Sequence, residues 1–262
     1  MRKKGLLYSS AYGATKSDSM HAIADAGFQC IMTNEVTKEQ ARCLAALAKE
    51  SGLEYHMIHA PFDGINSIWL PGEKGDAMLA RLLSCVDIAS DSEVPYVVVH
   101  LSSGENPPCI SDCGHERFDA LVRRAEKRGV VIAFENQRLL ANLAFVMELY
   151  EHNPFVGFCW DNGHEACFAY GRDYMALFGR RLVCTHVHDN FGVHNGDEHM
   201  IPFDASLDFH FFAERIQKSG YQGPLTLETS WPWRKDKYPG YTPATFLARA
   251  GAAAERLIRM CE

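Results

Sequence analysis

A chain of 262 residues with 47% hydrophobic side chains can bury a sizeable core, as one large α/β domain or two small ones. Its formal charge of −7 argues against a nucleic-acid surface, which normally needs a basic face. No apolar run approaches the roughly eighteen residues of a membrane span, and the apolar stretch behind the basic tip MRKKGLLYSSAYG is too short for a signal peptide.

Along the chain, short apolar runs alternate with helical stretches. KGLLYSS is the first candidate strand, and a helix closing at Gly27 precedes the second, FQCIMT. The amphipathic stretch 39–50 ends before Gly52 and the run LEYHMIH; 77–90 leads to PYVVVH from Pro95. Gly129 separates a helix from VVIAFE, and 141–152 leads to PFVGFCWD from Pro154. RLVCTHVHD begins at Arg181, and Gly220 closes the helix before GPLTLE. Glycine just past a helix supplies the left-handed residue that ends it, and a β-rich run directly behind reads as the next strand. Apolar residues at three- and four-residue spacing mark the helices as core-facing.

Eight strands alternating with helices in one α/β chain predict a closed parallel (β/α)₈ barrel, a single domain spanning 1–262. An open doubly wound sheet is the competing architecture, but no GxGxxG follows the first strand. Nine cysteines, odd in number and mostly within helix or strand patterns, read as reduced thiols of a cytoplasmic protein. Cys109, Cys113 and His115 have no second cysteine pair to complete a zinc knuckle and are expected in a loop.

In such a barrel, function gathers at the C-terminal ends of the strands. Strands three and four end at His59 and His100, five at Glu135, and six at Asp161 with His164 three residues on. The seventh opens LVCTHVHDNFGVHNGDEH, four histidines, two aspartates and a glutamate in eighteen residues, including His186, His188, Asp189, Asp197 and His199. The eighth ends at Glu228. Imidazole and carboxylate together form the ligand set of a divalent metal, and burying so many ionisable groups without a cation is costly. Zn, Mn or Co suits this mixture better than Mg.

The motifs HAPF, VVHLSSG, FEN, DNGH, HVHDN, DEH and LTLE, over roughly residues 55–230, resemble the xylose isomerase-like TIM barrels. That superfamily includes sugar-phosphate isomerases and epimerases, ketose 3-epimerases and the endonuclease IV type of abasic-site nuclease. The resemblance implies a central metal on Glu135, Asp161, His186 and Glu228. In the endonuclease branch two more zinc ions would take His59 and His100 with Glu135, and His164 with Asp197 and His199. The chain departs from its isomerase-like members in MIPFDASLDF (200–209) and in IMTNEV, where Asn34 and Glu35 are the only polar candidates at strand two.

The expected function is a divalent-metal-dependent isomerase or epimerase of a small sugar, sugar phosphate or polyol ketone. A Lewis-acidic ion would stabilise the enediolate while Glu135 and Glu228 serve as base and acid. Arg138, His188 and Asn190 are candidates for substrate hydroxyls or a phosphate, and Phe62, Trp231 and Trp233 for the pocket wall. The alternative is zinc-dependent phosphodiester hydrolysis at abasic DNA; the acidic charge and the lack of basic loops bearing wedge aromatics favour the sugar. A small carbohydrate is the expected partner, with neither nucleic acid nor membrane, and an oligomer is possible.

Overall fold

The computed structural model describes residues 2–169 and 171–262. Strands and helices alternate from the N-terminus: β1 (Lys4–Leu7), α1 (Lys16–Asp25), β2 (Cys30–Thr33), α2 (Lys38–Glu50), β3 (Glu54–His59) and α3 (Glu73–Asp91). The middle of the chain forms β4 (Tyr96–Val99), α4 (Asp112–Arg128), β5 (Val131–Glu135), α5 (Leu140–Leu149) and β6 (Val156–Asp161). Two short helices, α6 (Asn162–Phe168) and α7 (Tyr174–Phe178), precede β7 (Leu182–His186), α8 (Phe209–Ser219), β8 (Leu225–Leu227) and α9 (Pro243–Cys261).

All neighbours in the sheet are parallel, in the order β7-β6-β5-β4-β3-β2-β1-β8. One bridge between Val187 and Leu227 joins the two ends, with the Val187 amide donating to Thr226 at 2.8 Å and the Glu228 amide to Val187 at 3.0 Å. The expected eight-stranded TIM barrel is what forms. Among the described residues no helix is long and apolar enough to cross a membrane.

Local chemistry sets the element ends. Gly27, Gly52, Gly129 and Gly220 have φ of 82°, 71°, 69° and 73°, the left-handed conformation expected at helix ends. Thr37 and Gln40 form a reciprocal capping box that starts α2. Helix α5 stops three residues short of 152: Pro154 disfavours helix at Asn153, whose side chain instead accepts from the Phe155 amide at 2.9 Å. Cys113 and His115 lie in the first turn of α4, capped by Ser111, rather than in a loop.

Inside the barrel, Leu7, Met32, Met57, Val98, Ala133, Cys159 and Cys184, one from each of β1–β7, form a buried apolar layer. Tyr55 and Leu182 belong instead to the shell between strands and helices, although each lies two residues from a lumen residue and would share its face in a regular strand. The reason is a bulge in each strand. Ile31 pairs with Tyr55 but Met32 with Met57, and Phe158 pairs with Leu182 but Cys159 with Cys184. The extra residue reverses the facing of the rest of the strand, which turns His59 and His186 inward.

On the outer side of β6, Trp160 stacks on Phe212 at 4.8 Å and donates from Nε1 to Glu165 Oε2 at 3.0 Å. Burial raises the Glu165 carboxyl to about 7. Its folded pKa exceeds the ordinary 4.5, so the native state holds the extra proton between those values. The stability this confers is complete below the lower value and is lost as pH rises through the higher one. Glu165→Gln should therefore flatten the fall in melting temperature between about pH 5 and about pH 8, leaving the variant relatively more stable at the upper end. An unchanged pH profile would refute the assignment.

Candidate active site

Two residues beyond the lumen layer, the same inward face carries ionisable groups. His59 follows Met57 by two, His100 follows Val98, Glu135 follows Ala133, Asp161 follows Cys159 and His186 follows Cys184. The strand period of two makes this a second layer stacked on the first. His100 and Glu228 lie one residue past the last residue of β4 and β8.

Donor atoms of Glu135, Asp161, His186 and Glu228 all lie within 4.8 Å of one another. Nδ1 of His186 sits 3.5 Å from Glu135 Oε2 and 3.4 Å from Glu228 Oε2. To one side, Nε2 of His59 and of His100 approach Glu135 Oε2 at 3.2 and 3.0 Å. To the other, Asp197 Oδ2 lies 3.4 Å from His164 Nε2 and 3.1 Å from His199 Nε2. Both groupings implied by the resemblance are therefore assembled in the fold. His188 is fully buried, with Nε2 3.2 Å from Asp161 Oδ1 and its ring stacked on His199 at 4.1 Å.

Backbone contacts aim these side chains. Nδ1 of His59 lies 2.7 Å from its neighbour's carbonyl at Ala60, which leaves Nε2 for the site. Asp161 also caps α6, its Oδ1 accepting from the His164 amide at 2.6 Å, so one carboxylate fixes the next histidine. His199 has a φ of 47°, unusual for a residue with a Cβ. That conformation is held by Nδ1 2.7 Å from the Glu228 carbonyl and by Thr229 Oγ1 donating to the His199 carbonyl at 2.5 Å.

The electrostatics describe a cluster arranged around positive charge. Burial pushes Glu228 well above the usual carboxylate range, reinforced by Glu135 and Asp161. Burial also opposes ionisation of Glu135 and Asp161, but neighbouring histidines prevail, holding Glu135 well below its usual value and Asp161 at about 2. His164 is raised well above its usual value: burial works against it, but Asp161 and Asp197 outweigh that. Asp161 Oδ2, Glu228 Oε2 and both ring nitrogens of His186 are buried without a hydrogen-bond partner. Unpaired buried oxygen and nitrogen donors converging from three strands fit a divalent cation. Loading zinc or manganese should accordingly release protons, with Glu228, held toward its neutral form, among their sources. Calorimetry in buffers of different ionisation enthalpy would count them, and uptake without release would contradict this charge arrangement.

Above the cluster opens a cavity of about 400 Å³. Phe62, Phe168 and Trp233 give it aromatic walls, and Asn34, Ser103 and Arg138 add polar groups. Phe62 is half exposed and packs against the rings of His59 and His100. Three candidates for substrate contact stand outside its lining, His188 beside Asp161 among them. Asn190 is fully buried, its Nδ2 donating to the Gly163 carbonyl and its Oδ1 accepting from the Gly192 amide, so it shapes the loop. Trp231 packs against the core with Lys235 over its ring, outside the cavity lining, where Trp233 stands. Gln137, unmarked in the sequence, places Nε2 3.1 Å from His100 Nε2 and 3.0 Å from His164 Nδ1, between the two outer groupings.

A model of the Xylose isomerase-like TIM barrel family matches residues 20–257. The chain belongs to this family. Among its relatives, protein y4fM of Sinorhizobium fredii is 28% identical, over 92% of this chain and 88% of its own. Among solved structures, a D-psicose 3-epimerase from Clostridium cellulolyticum H10, with D-tagatose, superposes with a TM-score of 0.78 at 15% identity, covering 99% of both chains. The 3-keto-D-glucoside 4-epimerase YcjR of E. coli gives 0.76 at 16% identity, covering 99% of this chain and all of its own. At such identities the likeness speaks for the Xylose isomerase-like TIM barrel fold.

Proposed function

We propose that this protein is a divalent-metal-dependent isomerase or epimerase of a small sugar or polyol ketone. The observation that carries the reading is the convergence of Glu135, Asp161, His186 and Glu228 beneath a cavity sized for a monosaccharide, with Glu228 in its lining. Those four residues would hold the ion, and a bound divalent cation supplies Lewis acidity toward neighbouring carbonyl and hydroxyl oxygens. Glu228, from the end of β8, lines the cavity and Glu135, from β5, lies beneath it, so these two carboxyl groups are the candidates for moving the proton. One accepts the proton and the other returns it, and return on the opposite face inverts the centre. The aromatic walls exclude water, while Ser103, Asn34 and Gln137 offer hydrogen bonds to hydroxyls. The epimerase names of the structural neighbours agree with this reading.

Assembly of both outer histidine groupings supports a second reading, phosphodiester hydrolysis with three ions. Against it, one Arg and no Lys stand among the described residues lining the cavity, a poor surface for a polyanion. The two readings separate on the outer histidines. His59→Ala and His199→Ala should each leave one tightly bound ion and chiefly raise KM for a ketose, as metal analysis and steady-state kinetics would show. Incision of an abasic-site duplex should stay at background with added zinc at low salt. Robust incision abolished by both substitutions would establish the nuclease instead.

A further inference from the structure

Arg138 is the single Arg or Lys side chain among the described residues that line the cavity. Its guanidinium carbon lies over Phe168, 3.6 Å from the ring centroid, and Nη2 donates to Asn195 Oδ1 at 2.8 Å. Asn195 is held from the other side, its Nδ2 donating to Glu105 Oε1 at 2.7 Å. These contacts hold the fork in place and use one of its five donors. Its Nε is buried without an acceptor, and no carboxylate among the described residues lies within ion-pair distance of it. Arginine forks that serve the fold are supplied with oxygens: Arg117 bonds Asp76 and three carbonyls, and Arg181 bonds four carbonyls. Arg138 is partly exposed where it lines the cavity, with only Nε shielded, so its unused donors can take a ligand's oxygens without first breaking an ion pair.

We propose that Arg138 is the specificity-determining residue for an anionic group on the substrate, a phosphate or a carboxylate at the end of the sugar remote from the carboxyl cluster. The inference rests on the sugar reading above and narrows it to charged ketoses. A planar fork pinned by an aromatic face matches either anion bidentately, which an ammonium does not. The carboxylates of the cluster would repel an anion, so Arg138, on the cavity wall beyond Gln137, defines where it is accepted.

Calorimetric titration of the zinc-loaded protein with D-fructose, D-fructose 6-phosphate and 5-keto-D-gluconate tests this without requiring turnover. At least one charged ligand should bind about tenfold or more tighter than fructose, and which one identifies the anion. Arg138→Gln should reduce that preference to within about threefold, and Arg138→Lys should recover part of it. Equal binding of neutral and charged ketoses, or a preference that survives in Arg138→Gln, would overturn the proposal. Because binding is read directly, a charged preference without isomerisation would count against the reaction class and not against the role of Arg138.

Discussion

Glu228→Gln is expected to lower turnover on the order of a thousandfold or more while the protein stays folded. The substitution keeps the shape of the side chain and removes both its charge and its capacity to exchange a proton. Glu228 stands 3.4 Å from His186 Nδ1 and 3.7 Å from His199 Nδ1, with Oε2 buried and unpartnered, so its loss strikes the cluster and the acid–base pair together. The control comes from its raised pKa. A carboxyl that burial and like charges hold toward its neutral form loses little when replaced by a neutral amide, so the metal-free variant should melt no lower than the metal-free wild type. Initial rates on a ketose panel and paired melting curves measure both. Near-normal turnover would remove Glu228 from the chemistry, and a collapsed melting temperature would make it structural.

Chelation should produce the largest change in stability. An ion bound only by the native state stabilises it by mass action, about 4 kcal/mol when free ion exceeds Kd a thousandfold. For a chain of this size that corresponds to a rise in Tm on the order of ten degrees. Removing the ion also returns several buried carboxylates to one another's repulsion. Extensive dialysis against a chelator should lower Tm, and stoichiometric zinc or manganese should restore it. A chain that takes up no ion, and melts identically before and after, would remove the basis for the proposed reaction.

The residues that could be read from the sequence are those on a regular period. Gly129 and Gly220 mark helix ends because only a left-handed residue fits there, and Glu135 and Asp161 stand out as charges closing apolar strands. The bulges in β3 and β7 left no comparable trace, since neither a proline nor a glycine marks them, yet they decide that His59 and His186 point inward. Gln137 and Asn195 enter the cavity through loop conformation, which carries no periodic pattern, and Phe168 enters from the last residue of the short α6. Trp231 and Trp233 lie two residues apart in one turn-rich segment, and only its folded path shows that the second faces the cavity. Asp161 followed by His164 did carry a helix-start signal; its brevity, seven residues in α6, hid it.

The barrel is not equally tight all the way round. Between β7 and β8 a single bridge closes the circle, whereas β4 and β5 meet through four paired residues. Local opening at this seam should require less free energy than anywhere else on the ring, so the amides of Val187 and Glu228 should exchange with solvent by a sub-global route. His186 and Glu228 flank that seam, one on each side, and an ion held between them would clamp it. Amide exchange at Val187 should therefore slow sharply on metal loading while exchange at Val98, on the far wall, barely changes, which makes seam breathing a direct gauge of site occupancy.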